Sequence, residues 1–308
     1  MQNYEIIRRL EKPKGIVKAV LDTDTFNEID DQYAVAYMLK CPEKFQVMAF
    51  HAAPFSNEKA DNPKLGMEKS YDEIKNILEL MGRQDLSNIV YKGSETYLKD
   101  EETPVVSPAA ENLVRLANEM PEGETLYVIA IGAITNVASA LLMDPAIKEK
   151  IVVVWLGGHA YHMNNNREFN LAQDIAGARV LFGCGVPVIQ LPCAGVVDKL
   201  TISQLEIEHW LKGKNALCDY LGDITIKEAK IHSNIPTWTR VIWDISAIAW
   251  FLDDDFMEDR LEHSPIPTYD HKVAFSKDRH MIKYVFNINR DKIINDLFTR
   301  LAYEAGED

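Results

Sequence analysis

Five acidic residues crowd one short segment near the start of the chain. Asp22, Asp24, Glu28, Asp30 and Asp31 lie within ten residues, directly after a short apolar run. Carboxylates this close repel one another, and a bound cation would relieve that repulsion. Because the segment contains neither histidine nor cysteine, it favours a hard metal ion, Ca²⁺ or Mg²⁺. Single acids at a helix start or in a turn are common without a metal, so the prediction depends on their density.

Two chemistries use aspartates in such an arrangement. In a Mg²⁺-dependent phosphatase with the pattern D-x-D-x-T, Asp22 would attack the phosphate and Asp24 would act as the acid. Phe26 stands where that pattern has threonine. In the second chemistry, D-x-D followed closely by D-D holds calcium for the cleavage of a glycosidic bond. This segment alone leaves both alternatives open.

The elements around the acidic segment predict an α/β fold. Apolar runs of strand length alternate with helical patterns from residue 15 to residue 191. The runs are continuously apolar, as is typical of strands buried on both faces of a parallel sheet. Acids after the first strand would then lie at the carboxyl edge of the sheet, where open α/β sheets bind ligands. We expect a single domain over residues 1–308, with a more helical section near 200–260.

The spacing of apolar residues also predicts individual elements in the second half of the chain. Helices are expected over 171–182 and 239–252, and Thr201-x-x-Gln204 resembles a capping box that begins another helix. Strands are predicted at 272–275 and 281–288, before a final helix at 290–303.

Three downstream segments contain further candidate site residues: TLYVIAIGAITNVASALL at 125–142, WLGGHAYHMNNNREFNLAQDIAGARVLF at 155–182 and TWTRVIWDISAIAWFL at 237–252. Glu168 and Asn170 are two positions apart, so in an extended segment they would face the same way. A carboxylate and an amide suit a ligand with hydroxyl groups, which both donate and accept hydrogen bonds. Asp244 interrupts an apolar pattern, and a buried charge without a partner is costly, which a cation would remedy.

Together, these segments resemble the inosine-uridine-preferring nucleoside hydrolase family over nearly the whole chain. The first signature of that family is D-x-D-P-G-x-D-D, whereas this chain has D-T-D-T-F-N-E-I-D-D, which lacks Pro-Gly and is two residues longer. The resemblance implies a mostly parallel central sheet flanked by helices, open and Rossmann-like. It also implies Ca²⁺-dependent hydrolysis of ribonucleosides to ribose and free base. The phosphatase alternative has little support beyond the first motif.

The resemblance further implies how the metal is held. Ca²⁺ would be bound by the side chains of Asp24, Asp31 and Asp244 and by the main-chain carbonyl of Ile131. Asp24 would also act as the general base that accepts a proton from the attacking water. Asp30 would be a second catalytic residue and would form a hydrogen bond with a ribose hydroxyl. Asp22 would contact neither metal nor substrate and would instead support the residues that do.

The substrate contacts follow from the same resemblance. Ribose would be bound by Asn57, Asn164, Glu168 and Asn170. Trp243 occupies the position at which the family usually has a histidine. This tryptophan resembles the purine-preferring branch, in which the base stacks on an indole ring, so a purine preference is expected.

Composition limits the remaining classes of function. The net charge of −14 disfavours binding to nucleic acid, whose phosphates would be repelled. Four cysteines without a C-x-x-C pair give no support for a zinc ribbon, and no apolar run is long enough to span a membrane. We expect a cytoplasmic enzyme that binds small nucleosides and, from the resemblance, forms a homodimer or homotetramer. A non-catalytic nucleoside-binding protein is the third alternative, because the family histidine is missing.

Overall fold

The strands of the computed structural model, which describes residues 3–303, are short and mostly buried. In chain order they are β1 (Val17–Thr23), β2 (Phe45–Ala52), β3 (Val90–Lys92), β4 (Leu126–Ala130), β5 (Ile151–Leu156), β6 (Val188–Leu191), β7 (Thr201–Ser203), β8 (Thr239–Val241), β9 (Met257–His263), β10 (Ile266–Pro267), β11 (Val273–Ala274) and β12 (Met281–Ile288). Eight of them form the central sheet, and β7–β8 and β10–β11 form two small sheets of their own.

The α-helices fall between these strands. They are α1 (Asn3–Arg9), α2 (Asp30–Leu39), α3 (Pro63–Leu80), α4 (Pro108–Asn118), α5 (Thr135–Met143), α6 (Phe169–Gln173), α7 (Ile175–Gly183), α8 (Gln204–Trp210), α9 (Ala216–His232), α10 (Ile245–Ala249) and α11 (Arg290–Ala302). Short 3₁₀ helices occupy Gln84–Ile89, Pro145–Glu149 and Val197–Lys199.

The strand order places a crevice beside the first strand. The central sheet runs β3-β2-β1-β4-β5-β6-β12-β9. All neighbouring pairs are parallel except β12 and β9, which are antiparallel. The order reverses at β1, which has β2 on one side and β4 on the other. Open α/β sheets bind their ligands at such a point, outside the carboxyl ends of the strands.

Both faces of the sheet are buried, as the apolar runs predicted. Along β4, Leu126, Val128 and Ala130 belong to one hydrophobic cluster, and Tyr127 and Ile129 belong to the other. Since successive side chains of a strand point to opposite faces, the two clusters lie on opposite sides of the sheet. Helices α4, α5 and α7 cover the first face, and α2, α3, α9 and α11 cover the second. The predicted mostly parallel sheet flanked by helices is confirmed.

The helix predicted over 239–252 is wrong in its first half. Thr239–Val241 forms β8, which pairs antiparallel with β7, and α10 begins only after Asp244. Two β-branched residues in β8 suit a strand, and the partner strand is almost forty residues away in the sequence. Apolar spacing within the segment does not reveal such a partner.

Two predicted helix starts are also displaced. The helix expected over 171–182 is divided into α6 and α7 at Asp174, whose carboxylate caps α7. The capping box is formed by Ser203 and Glu206 and not by the pair that begins at Thr201, because Thr201 lies in β7. In both places a local side-chain hydrogen bond fixes the helix start.

The section between residues 200 and 260 contains α8, α9 and α10 and the small β7–β8 sheet. Its buried residues Leu211, Leu221 and Trp250 belong to the same hydrophobic cluster as Leu21 of β1. The section therefore packs on the core of the central sheet, and the single domain stays a prediction. Within residues 3–303, no helix has both the length and the apolar character that a membrane crossing requires.

Candidate active site

A cavity of about 330 Å³ lies at the carboxyl ends of the central strands. Its wall includes Asp24, which follows β1, Ile131, which follows β4, and Leu156, which ends β5. This is the position that the reversal of strand order predicts. Most of the predicted site residues line the cavity: Asp24, Asp30, Asn57, Ile131, Glu168, Asn170, Trp243 and Asp244.

Three buried aspartates form a compact group in this region. One carboxylate oxygen from each of Asp30, Asp31 and Asp244 lies within 4.8 Å of the others. Asp30 and Asp31 begin α2, and Asp244 immediately precedes α10. The main-chain N–H of Asp244 donates to Oδ2 of Asp30 over 3.2 Å, so the starts of the two helices are joined. Asp30, predicted as a catalytic and ribose-binding residue and not as a metal ligand, thus lies among the candidate metal ligands.

Asp24 has an unusual environment for a carboxylate. Its side chain is buried, and neither carboxylate oxygen has a hydrogen-bond partner within residues 3–303. A Cβ atom built on Gly132 would come within 3.0 Å of Oδ1 of Asp24, so the glycine leaves this oxygen its space. Buried polar atoms are rarely left without a partner in proteins. Two unpartnered anionic oxygens at the cavity wall fit a cation-binding role.

The ionisation of these aspartates indicates the same need for positive charge. Burial raises the pKa of Asp30 to about 8, and repulsion from Asp31 adds to this rise. Burial also raises the pKa of Asp31 to about 6, although a hydrogen bond from Thr23 opposes the change. Burial, followed by repulsion from neighbouring aspartates, holds the pKa of both Asp24 and Asp244 well above the usual range. A hard cation would suit these oxygen donors and stabilise their charged forms.

The carbonyl of Ile131 is positioned by Asn170. Nδ2 of Asn170 donates to the main-chain oxygens of Ile131 and of Leu156, each over 3.1 Å. These carbonyls lie at the ends of neighbouring strands β4 and β5, so one amide joins the two strand ends. A carbonyl oxygen has two lone pairs, and the Ile131 oxygen can therefore accept this hydrogen bond and also bind a cation.

Glu168 is held by main-chain donors and not in the extended segment that we expected. Its carboxylate accepts hydrogen bonds from the N–H groups of Gly158, Asn170 and Leu171 at 2.8–2.9 Å. It thereby caps α6, and Asn170 lies in the first turn of that helix. The expectation of an extended segment was wrong, yet both side chains are buried in the cavity wall. The cap gives Glu168 a fixed orientation.

The asparagines have different positions. Nδ2 of Asn57 donates to Oδ1 of Asn27 over 2.8 Å, which connects Asn57 to the extended first loop. Asn164 does not line the main cavity; it is exposed and lines a second cavity of about 210 Å³. The buried member of the run is Asn166, whose Oδ1 accepts from the main-chain N–H of His159. A direct contact between Asn164 and a ribose in the main cavity is therefore not supported.

Trp243 is half-buried in the cavity wall beside Asp244 and packs against the hydrophobic cluster below. Sequence reasoning missed two features of this wall. Glu28, in the extended loop, accepts a hydrogen bond from Nη2 of Arg240 over 2.6 Å. Arg167, next to Glu168, contributes a guanidinium to the lining. Opposite charges on Glu28 and Arg240 were visible in the sequence, but their 212-residue separation concealed the pairing.

Asp22 lies beneath the site and away from the cavity. It is fully buried, does not line the cavity, and its Oδ2 accepts a hydrogen bond from Nδ2 of Asn136 over 2.8 Å. Burial raises the pKa of Asp22 to about 7, although the hydrogen bond from Asn136 opposes this. A phosphatase nucleophile must reach its substrate, and Asp22 has no access. The geometry therefore disfavours the phosphatase alternative.

Comparison with curated proteins yields partial matches to ribonucleoside hydrolases. The chain is 33% identical over 104 residues to a putative pyrimidine-specific ribonucleoside hydrolase, RihB, of Shigella boydii serotype 4. This match covers 29% of the chain and 43% of the relative, so it spans less than half of the relative's length.

Solved structures of low sequence identity share the fold. A plant nucleoside hydrolase, PpNRh1, superposes with a TM-score of 0.77 at 20% identity, over 93% of this chain and 99% of its own. A purine-preferring ribonucleoside hydrolase from Gardnerella vaginalis gives a TM-score of 0.74 at 18% identity, over 92% and 98%. The family model for inosine-uridine preferring nucleoside hydrolases matches residues 19–295. Because this match covers most of the chain, including every acidic residue that lines the cavity, the chain belongs to the inosine-uridine preferring nucleoside hydrolase family.

Proposed function

We propose that this protein hydrolyses the N-glycosidic bond of ribonucleosides to ribose and free base, with Ca²⁺ as its cofactor. One observation carries the proposal: both oxygens of the buried Asp24 lack a partner among residues 3–303. The group of Asp30, Asp31 and Asp244 is also buried, and it repels Asp24 electrostatically. Side chains of Asp24, Asp31 and Asp244 and the Ile131 carbonyl would hold Ca²⁺, which accepts six to eight oxygens.

The residues of the chain have separate tasks in this reaction. Bound Ca²⁺ would lower the pKa of a water molecule and fix its position. Asp24 accepts a proton from the attacking water, because its oxygens have no competing donor in the described part of the chain, residues 3–303. Positive charge develops on the sugar as the bond breaks, and the buried carboxylates stabilise it. Asp30, Asn57, Glu168 and Asn170 orient the ribose.

The leaving base is expected to stack on Trp243. An indole ring offers a large face, so stacking favours the larger purine rings. His159 also lines the cavity, but burial lowers the pKa of its imidazole, which disfavours a charged donor at this position. Proton transfer from solvent to a stacked purine is therefore our preferred route.

The first test is an assay of ribose release. Inosine, adenosine, uridine and cytidine are each incubated with the protein in Ca²⁺ and after chelation. We expect release from the purine nucleosides, its loss on chelation and its recovery when Ca²⁺ is restored. Asp24→Asn should lose activity about a hundredfold or more. Asp72→Asn, at an exposed position outside the cavity, is the matched control.

Other outcomes reject the proposal or part of it. Release that survives chelation or Asp24→Asn would refute the metal and base assignments. Release mainly from uridine would refute the purine preference. Thermal stabilisation by nucleosides without any turnover would instead support the binding-protein alternative.

A further inference from the structure

We propose that the riboside bound in this cavity carries an anionic group at its 5′ carbon and that Arg167 binds this group. The inference rests on the proposed function, because it concerns the substrate of the same site. It names 5′-phosphorylated or similarly charged ribosides as the preferred substrates within the ribonucleoside class of the proposed function.

The first observation is the state of Arg167. Its side chain is exposed and lines the cavity beside Glu168. Within residues 3–303 its guanidinium forms neither a hydrogen bond nor an ion pair, whereas its main chain interacts with Oδ1 of Asn165 and with His159. Among the described residues that line this cavity it is the one Lys or Arg. The planar fork of arginine donors matches phosphate oxygens, with which it can form paired hydrogen bonds.

The geometry of ribose gives Arg167 a defined partner. With the 2′ and 3′ hydroxyls directed at the candidate metal ligands, the base and the 5′ carbon both project from the opposite side of the ring. In the proposed function the base stacks on Trp243, at the start of α10. The 5′ group then points toward a different part of the wall. Arg167 and Glu168, at the start of α6, form such a part.

The second observation is that the wall continues into additional space. His159 lines both the main cavity and the second cavity of about 210 Å³, so the two cavities are neighbours. The second cavity is lined by Asn164, Asn165 and Lys272, and the ammonium group of Lys272 is paired with Oδ2 of Asp270 at 3.3 Å. The amides and the ammonium group donate hydrogen bonds and suit an anion. A 5′ substituent that passes Arg167 would therefore meet further donors.

Six acidic residues also line the cavity: Asp24, Glu28, Asp30, Glu58, Glu168 and Asp244. Glu28 is paired with Arg240 at 2.6 Å, which offsets its charge. The aspartate group would be neutralised in part by the bound cation. The acidic protein as a whole repels phosphate. Arg167 would attract a phosphate group locally, at its own position in the cavity wall.

The test compares ribose 5-phosphate with ribose by calorimetric titration of the Ca²⁺-loaded protein. We expect ribose 5-phosphate to bind about tenfold or more tightly than ribose, since a charge-assisted hydrogen bond typically contributes this much. Arg167→Gln should remove the preference, and Arg167→Lys should retain part of it, because lysine keeps the charge without the fork. Arg8→Gln is the matched control, at an exposed arginine of α1 that does not line the cavity.

Equal binding of the two sugars, or a preference that persists in Arg167→Gln, would overturn the inference. So would loss of the preference in Arg8→Gln to the same extent. Hydrolysis of inosine 5′-monophosphate and inosine is then measured separately. A phosphate preference without cleavage of either would refute the proposed function and leave the Arg167 site standing. Cleavage of inosine without any phosphate preference would refute the Arg167 site and leave the proposed function standing.

Discussion

At the scale of single residues, the candidate site is defined by side chains that lack their usual partners. Among residues 3–303, Asp24 has no donor for either oxygen, and Arg167 has no acceptor for its guanidinium. Sequence reasoning found the first because acids were dense around it. It missed Arg167, since one arginine in a polar loop has no distinctive spacing. The position of Asn166 was also hidden, because its N–H donates to the carbonyl of His271, more than a hundred residues away.

Binding of Ca²⁺ should stabilise the protein through Asp24. At a concentration one hundred times its dissociation constant, a ligand raises the free energy of unfolding by about 2.7 kcal/mol. We expect a clear rise in Tm for the native chain when Ca²⁺ is added, and little or no rise for Asp24→Asn. Differential scanning fluorimetry measures both, with Asp72→Asn as the control. An equal rise in Asp24→Asn would exclude Asp24 as a ligand.

Trp243 should determine the preference among bases. Stacking of a base on an aromatic ring contributes about 1–3 kcal/mol, so Trp243→Ala should lower kcat/KM for inosine about tenfold or more. The loss for uridine should be smaller, because a pyrimidine covers less of the indole. Steady-state kinetics with both nucleosides measures the ratio. Equal losses would mean that Trp243 acts through packing alone.

At the scale of elements, helix starts and strand ends position the site. The starts of α2 and α10 bring the aspartates together, and the ends of β1 and β4 bring Asp24 and Ile131 to the same cavity. Alternating apolar runs predicted these strands well, because both-face burial leaves a strong local pattern. Residues 239–241 were misassigned to a helix, since their strand partner β7 is distant in the sequence.

The ion pair between Glu28 and Arg240 should stabilise the extended first loop. Arg240 is largely buried, with 14% of its side chain exposed, and Glu28 is 36% exposed. We expect Arg240→Gln to lower the free energy of unfolding by about 1 kcal/mol, measured by urea denaturation. Arg83→Gln breaks the exposed Arg83–Asp85 pair and should change it by less than about 0.5 kcal/mol. Equal effects of the two substitutions would show that the pair does not stabilise the loop.

His280, which directly precedes β12, should make stability depend on pH. Burial, with repulsion from Arg279, lowers the pKa of its imidazole from 6.5 to about 4. Between these values the unfolded chain binds the proton that the folded chain does not, so stability decreases as pH falls from 6.5 toward 4. Denaturation curves of the native chain and His280→Gln isolate this contribution by difference. A difference that does not change across this range would contradict the assignment.

At the scale of the whole molecule, the fold and the acidic surface limit what can bind. The family match spans residues 19–295, and the sheet has its crevice where the acids lie. The fold class could therefore be predicted from the long periodic pattern of apolar residues. The candidate metal site could be predicted from the short acidic motif. The expected homodimer or homotetramer stays a prediction, and light scattering after size-exclusion chromatography would measure it. A monomer at micromolar concentration would contradict it.

The amide of Asn170 has one more consequence, for the order in which ligands arrive. It joins the carbonyl ends of β4 and β5 through one nitrogen and borders the surface proposed for ribose. Sugar that fixes this side chain would also fix the Ile131 oxygen, so the affinity for calcium should increase when sugar is bound. Thermodynamic reciprocity then requires calcium to raise the affinity for sugar by the same factor. Neither ligand would occupy the site independently of the other, and the concentration of each ligand that half-saturates the enzyme would fall as the other is added.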